Sequence, residues 1–367
     1  MLIIIAFCGV IFIQTFFYLF LFGKFTFSKP LKTNYSKLPV SVIICAKNEA
    51  DNLKRHLPLI ANQNYPEFEI VLINDASTDN TLSVMRQFKS DYASERCSIQ
   101  IKSILEKASP GKKSALSRGI KAAKNDHLIL TDADCKPDSK DWISEITSNF
   151  SDKKQIVLGY GAYQKIKKSF LNKMIRFETL LTAIQYFSFA NIGLAYMGVG
   201  RNMAYKKELY TRTDGFQKHL HMASGDDDLF INEVTNKQNT AICFSKNSFT
   251  TSLPETTFKK WIKQKSRHLT TANHYKFEHQ FLLGLFYLSQ ISFWILAISL
   301  LILKTNPILT IVLILFRFTI LYFIIGKSAR MLNEKDLVVF APLFEISIIF
   351  MQLYIFIRNI IAPPNQW

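Results

Sequence analysis

The chain has 367 residues, 49% of them apolar with 31 phenylalanines, and a formal net charge of +17. That length holds one sizeable domain with extra segments, or two smaller domains, and the apolar residues are concentrated at the two ends, which a uniformly soluble protein would not need. The five cysteines, at positions 8, 45, 97, 135 and 243, have no metal-ligand spacing, which excludes a disulfide scaffold and a zinc module. The positive charge suits anionic lipid and an anionic substrate; no nucleic-acid-binding motif accompanies it, so nucleic acid is not expected as a partner.

Leu2 to Phe22 carries no charge and is followed by Lys24, Lys29 and Lys32. At about 1.5 Å per residue it is long enough to cross a hydrocarbon core of roughly 30 Å. No basic run precedes it and no small-x-small cleavage site follows, so residues 1–23 are expected to be a retained transmembrane anchor, not a signal peptide. Strand and helix patterns then alternate. Val40 to Ala46 (VSVIICA) and Phe68 to Asn74 (FEIVLIN) are short apolar, β-rich runs, followed by helical patterns over Asp51 to Ala61 and Asn80 to Ser90. A strand at Ile99 to Ile104, a helix at Lys112 to Lys124 and a buried strand at His127 to Thr131 continue the series. This alternation predicts an α/β domain with a mainly parallel sheet covered on both faces. Ligands of such sheets bind beyond the carboxyl ends of the strands.

Those strand ends carry Lys47-Asn48-Glu49, then Asp75 to Asp79, then Asp132-Ala133-Asp134. Ser77, Thr78 and Asp79 have an ordinary use as helix caps. Asp132 and Asp134 differ, because two carboxylates one residue apart at the end of a buried strand repel unless a cation sits between them. The pattern points to Mg²⁺ or Mn²⁺ shared with substrate phosphates. Neither G-x-x-x-x-G-K-[ST] nor G-x-G-x-x-G follows a strand, so the commonest phosphate-loop and dinucleotide folds lose support. Pro110-Gly111-Lys112-Lys113 offers charge and amide donors to a phosphate, or is a solvated basic turn. Asp226-Asp227-Asp228 sets three acids before a helical run at Leu229 to Val234. Repulsion and partial burial raise one such pKa toward a value useful in a general base; acids also favour helix starts, and the two uses are compatible.

A helix from Lys259 to His274 carries Gln264 and Arg267 one turn apart, with Trp261, Ile262 and Leu269 as an apolar face for lipid or core. A guanidinium fork suits diphosphate oxygens. Three further apolar segments follow: Phe281 to Leu303, Pro307 to Ile325 and Leu337 to Ile361. Arg317, Glu345 and Arg358 within them should face other helices or an interface. Four spans are expected, with one of these segments as a membrane-surface helix the alternative. Basic residues beside the anchors and in the connector Lys327 to Lys335 place the large section in the cytoplasm and each terminus across an inner or plasma membrane.

Taken together and in order, these residues resemble glycosyltransferase family 2, the inverting enzymes of the GT-A fold, including cellulose- and hyaluronan-synthase-like enzymes. The resemblance covers about Val40 to His274: the V-S-V-I-I-x-A-K-N-E start, Asn74-Asp75-Ala76-Ser77-Thr78-Asp79, Gly111-Lys112 through Gly119, and Asp132-Ala133-Asp134. It continues with Gly198-Val199-Gly200-Arg201-Asn202, Ser224 to Leu229, and Gln264 through His268 in place of Q-x-x-R-W. It implies a Rossmann-like nucleotide-diphospho-sugar transferase domain with a mixed, mainly parallel sheet over residues 38–255. An amphipathic interface helix follows over 256–280, then three transmembrane helices over 281–361.

The resemblance implies donor contacts from Ala46, Asn48, Glu49, Asn74, Asp75, Lys112 and Asp132, and a divalent metal on Asp134 with Asp132. It puts Gly200, Asn202 and His268 on the acceptor side, and Asp227 as catalytic base with Asp226 second. Gln264 and Arg267 belong to the catalytic set, Arg267 beside the departing nucleotide. Two departures stand out. Asn74 replaces an acid that meets the nucleotide base, and His268 replaces a Trp that helps polymerising relatives hold the acceptor. A membrane-anchored transferase is therefore expected, moving a sugar from a UDP-sugar to a lipid-linked or glycan acceptor among membrane lipids. The rivals are a processive, extruding polysaccharide synthase and a catalytically idle nucleotide-sugar-binding assembly partner.

Overall fold

The computed structural model describes residues 1–31, 38–104, 111–222 and 224–361. After an apolar helix α1 (Leu2–Thr26), β1 (Val40–Ala46), α2 (Ala50–Ala61), β2 (Phe68–Asp75), α3 (Thr81–Tyr92), β3 (Cys97–Ile104), α4 (Lys113–Ala122) and β4 (His127–Leu130) alternate as expected. The second half is less regular. It holds β5 (Lys136–Pro137), α5 (Trp142–Thr147), β6 (Ile156–Leu158), β7 (Gly161–Tyr163), α6 (Phe170–Asn191), β8 (Met203–Lys206) and α7 (Lys207–Arg212). Then come α8 (Asp228–Val234), β9 (Thr240–Ile242), β10 (Thr250–Ser252), α9 (Phe258–Leu269), α10 (Phe277–Ile302), α11 (Pro307–Met331) and α12 (Ala341–Ile361).

Seven strands form one sheet in the order β3-β2-β1-β4-β8-β6-β9. The first four are parallel, β8 runs antiparallel to both its neighbours, and β9 is parallel to β6. β1 and β2 are in register from Val40 opposite Phe68 to Ala46 opposite Asn74, so their carboxyl ends finish level. Both strands are buried along nearly their whole length, which is why they read as continuous apolar runs. α4 packs on them through Gly119, where a Cβ would lie 2.7 Å from Ile43. A second sheet, β5-β10-β7, is built from strands of two or three residues and has no counterpart in the sequence reading.

Four helices are long and apolar enough to cross a membrane: Leu2–Thr26, Phe277–Ile302, Pro307–Met331 and the stretch Lys335–Ile361 that contains α12. α1, α10 and α11 bundle together, with Phe7 and Phe293 rings 5.8 Å apart and Gln14 Nε2 donating to the Ser289 carbonyl at 2.9 Å. Arg317 Nε in turn donates to Gln14 Oε1 at 2.6 Å. α12 behaves differently. Just before its start, Glu334 and Asp336 pair with Arg176 of α6, and Phe344 lies 5.3 Å from Phe177. Near its end, Asn359 Nδ2 donates to the Ser266 carbonyl of α9 at 3.0 Å. Both ends of this helix therefore contact the domain that carries α6 and α9. Its exposed residues Leu343, Phe350, Tyr354, Ile357 and Ile361 recur at helical spacing on one face.

Candidate active site

A cavity of about 730 Å³ opens beyond the carboxyl ends of β1, β2 and β4, where the strand-end residues Ala46, Glu49, Asp75, Asp132 and Asp134 line it. Lys112, at the start of α4, reaches across it. Its Nζ lies 2.7 Å from Asp132 Oδ1 and 3.2 Å from Asp226 Oδ2, so one ammonium joins the two acid clusters. Gly200 leaves room for this approach, since a Cβ there would sit 3.2 Å from Lys112 Nζ. The Gly200 N–H donates to Asp227 Oδ2 at 2.8 Å, and the Asp228 N–H donates to Asp227 Oδ1 at 2.8 Å.

The three acids have separate surroundings. Asp226 faces Lys112. Asp227 lines the cavity, and its pKa is raised to about 7, first by burial and then by Asp226 and Asp228; Lys112 and the Gly200 N–H oppose the rise without cancelling it. Asp228 Oδ2 accepts from the Thr271 hydroxyl and from Tyr275 Oη, the latter at 2.8 Å, which ties α8 to the segment after α9. Burial holds the Asp228 carboxyl above its ordinary range. Burial opposes the charge on Lys112, but Asp132 and Asp226 outweigh it and hold the ammonium well above its usual value.

Asp132, Asp134 and Cys135 place one ligand atom each within 4.8 Å of one another. Burial, then Asp134 and Asp132, push the Cys135 thiol well up, so the two carboxylates are the ready donors for a hard cation. Asp132 is held below its ordinary range because Lys112 overcomes burial, whereas Asp134 is raised by burial and then by Asp132. Among the described residues, Asp134 accepts only a long bond from Cys135 Sγ, at 3.5 Å. A cavity-facing carboxylate so poorly supplied with donors, beside a second one, fits a hard divalent cation such as Mg²⁺ or Mn²⁺.

Gln264, Arg267 and His268 also line the cavity, from α9, which ends five residues earlier than expected because Ala272–His274 forms a separate turn. Thr257 caps this helix and Trp261 is fully buried beneath it. Desolvation inside the cavity, then Lys265 and Arg267, keep the His268 imidazole well below its usual pKa, and hence neutral.

Three expected site residues lie outside the lining. Asn202 is fully buried, taking a bond from Trp142 Nε1 at 3.1 Å and giving bonds to the Tyr160 and Ser248 carbonyls at 2.9 and 2.7 Å. Its amide is fully used within the protein, which corrects the acceptor-side expectation for it. Asn48 adopts a left-handed φ of 58° and braces the next loop, its Oδ1 accepting from the Thr78 N–H at 2.8 Å. Asn74 is buried at the end of β2, beside the cavity wall rather than on it.

Two further residues matter to the site: Arg201, which had no expected role, and Lys113, which the basic turn before α4 had offered to a phosphate or to solvent. Arg201 lines the cavity with its guanidinium 4.1 Å over the Tyr163 ring, and its Nη1 donates to Ala162 O and Ser252 Oγ, both at 3.0 Å. Its place between Gly200 and Asn202 was the available signal. Lys113 is fully buried and donates to the carbonyls of His219, Met222 and Ser224 at 2.5, 3.2 and 2.6 Å, anchoring the loop that delivers Asp226. Gly225 turns that loop with a φ of +102°, where any side chain would be strained and a Cβ would meet Leu229 at 2.6 Å.

Comparison with known proteins agrees with this geometry. The chain is 27% identical over 199 residues to the glycosyltransferase AglE of Haloferax volcanii, covering 52% of this chain and 60% of that one. It is 30% identical over 95 residues to a poly-beta-1,6-N-acetyl-D-glucosamine synthase of Staphylococcus epidermidis, covering 26% and 21% respectively. It thus spans less than two thirds of the length of these relatives. Among solved structures, the mannosyltransferase PcManGT from Pyrobaculum calidifontis, in complex with GDP-Man and Mn²⁺, shares the fold at a TM-score of 0.58 and 17% identity, over 94% of this chain and 98% of that one. Residues 38–271, which supply the sheet, both acid clusters and α9, match the family described as Glycosyltransferase like family 2, and the chain belongs to it.

Proposed function

We propose that the protein is a membrane-anchored inverting glycosyltransferase that moves a sugar from a nucleotide diphosphate donor to a lipid-linked or glycan acceptor at the cytoplasmic face. The observation that carries this reading is the convergence of two acid clusters on one ammonium, Lys112 Nζ being 2.7 Å from Asp132 and 3.2 Å from Asp226. Inversion is a direct displacement: the acceptor oxygen bonds to the anomeric carbon as that carbon's bond to the diphosphate breaks, and the electron pair leaves with the diphosphate. The acceptor proton passes to Asp227, whose raised pKa makes a base matched to neutral pH. Lys112 and Arg267 hold positive charge where the leaving group becomes more negative. Asp134 and Asp132 would hold a divalent cation, which when bound would add to that charge stabilisation. The neutral His268, facing the same cavity, is suited to hydrogen-bond an acceptor hydroxyl.

The test is nucleotide release by the purified full chain from a panel of UDP- and GDP-sugars; the second class is included because the fold neighbour binds GDP-Man. Release is expected with one class, lost on chelating divalent metal and restored by Mg²⁺ or Mn²⁺. Silence with every donor would overturn the transferase reading. Full activity under chelation would remove the metal role from Asp132 and Asp134.

The topology proposed is three crossing helices, α1, α10 and α11, with α12 lying in the membrane surface on the side of the domain. What supports it is the docking of Glu334 and Asp336 on Arg176 before α12 and of Asn359 on Ser266 at its end. In a Cys8→Ser background, Lys304→Cys should react with an impermeant maleimide outside intact cells, whereas Ile361→Cys should react only once the cytoplasmic face is opened. Labelling of Ile361→Cys from outside restores the fourth span.

A further inference from the structure

The cavity does not stop at the acids. Beyond Asp227 and His268 its wall continues through Tyr275 and Tyr287 to Gln290, Glu345 and Gln352, residues of α10, α12 and the turn before α10. Glu345 is 2% exposed; its Oε1 accepts from Arg317 and from Gln290 Nε2, the latter at 3.0 Å, and the buried Tyr18 hydroxyl lies beside it and Gln290, while its Oε2 has no partner at hydrogen-bond geometry among the described residues. A buried carboxylate oxygen left without a donor is costly, and ionisable side chains among membrane helices rarely persist without a use. Were this ion pair only a pin between helices, it would close on itself. Instead Arg317, backed by Gln14, covers one side of Glu345, and Glu345 and Gln290 both form part of the cavity wall.

Charge is divided along the cavity. At the sheet end Lys112, Arg201 and Arg267 line it, as a diphosphate requires. Along α6, α10 and α12 the charged lining residues are Glu178 and Glu345, with no Lys, Arg or His among them. Lys265, at the boundary, is already paired with Glu178 at 2.5 Å. A phosphate at this end would meet carboxylates and, among the described lining residues, no cation other than the paired Lys265; Arg317 lies behind Glu345, outside the lining. A hydroxyl, in contrast, donates well to a carboxylate or an amide carbonyl. Phe286 and Ile348 in the same wall suit the first methylenes of a lipid, and α12 turns its apolar face outward beside them.

We infer that the membrane end of the cavity is the acceptor site, and that the acceptor is a bilayer lipid with a neutral, hydroxyl-bearing headgroup of the glycerol or sugar kind. One hydroxyl is held by Glu345 while another is presented toward Asp227; this rests on the transferase reading above. With the donor found in the panel, the full chain is assayed in vesicles carrying either a diacylglycerol or glycosyl-diacylglycerol, or a polyprenyl phosphate. Transfer to a neutral lipid is expected. Donor turnover with product only on polyprenyl phosphate, or on neither lipid, would overturn the site while leaving the transferase intact; no donor turnover at all removes both.

Glu345→Gln keeps an oxygen for Arg317 and Gln290 but turns the free oxygen into a donor. It is expected to raise the KM for the neutral lipid about tenfold or more, with donor KM moved less than about twofold. Because this change also neutralises the partner of Arg317, Ile348→Trp provides a second variant that fills the same wall and should raise the same KM. Unchanged lipid KM in both variants would sink the proposal.

Discussion

Asp227→Asn is expected to lower kcat by about 10²- to 10⁴-fold while changing donor KM less than about threefold. The carboxamide matches the carboxylate in shape and keeps one acceptor for the Gly200 and Asp228 N–H groups that fix Asp227 in place. What it lacks is the ability to take a proton. The wild-type rate should then rise with pH through a midpoint near 7, the value to which burial, then Asp226 and Asp228, push this carboxyl. At pH 5 only about 1% of a group with that pKa is ionised, so most of the activity is lost in acid. Stability follows the opposite sense. Folded protein binds the proton more tightly than the unfolded chain, whose ordinary value is 3.8, so this group's contribution falls as pH rises from about 4 to about 7. The Asn variant does not titrate and should lack that decline. An unimpaired rate in the variant, or a flat wild-type profile between pH 5 and 8, would take the role of base away from Asp227.

The parts of this molecule that could be read before folding are those where one local pattern has one physical cause. β1 and β2 announce themselves because a parallel strand covered on both faces is apolar throughout. The acid pairs announce themselves because like charges at the end of a buried strand need a partner. α6 stayed silent for the complementary reason. It is buried on nearly every side, between the sheet core and the membrane helices, so it has no amphipathic period to detect. The strands of the second sheet are two or three residues long, below any periodicity.

Length alone is ambiguous at α12, a mostly apolar helix of 21 residues that is long enough for a span and is also tied to the domain at both ends. Residue type misleads at Asn202. Its amide satisfies three internal partners, one donor and two carbonyls, and nothing local separates that use from substrate binding. The lower cavity was invisible because Glu178, Gln290 and Glu345 come from three segments that only the tertiary fold brings together.

Lys112→Met, which keeps most of the stem and removes the ammonium, should lower kcat/KM for the donor by about 10²- to 10³-fold and shift the pH midpoint of the rate upward. The first effect follows from position. Lys112 Nζ lies between Asp132 and Asp226 in the cavity, at the start of a helix whose first N–H groups already favour an anion. The second follows from sign. Lys112 is a cation that lowers the pKa of Asp227, so its loss leaves burial and the two neighbouring acids unopposed on that side. Asp132 moves the same way, since Lys112 is what holds it below its ordinary range against burial. A residue that merely filled space would cost activity without moving the midpoint. The pH profile of the Met variant therefore separates the two roles, and a midpoint unchanged from wild type would mean that the ammonium does not couple the two acid clusters.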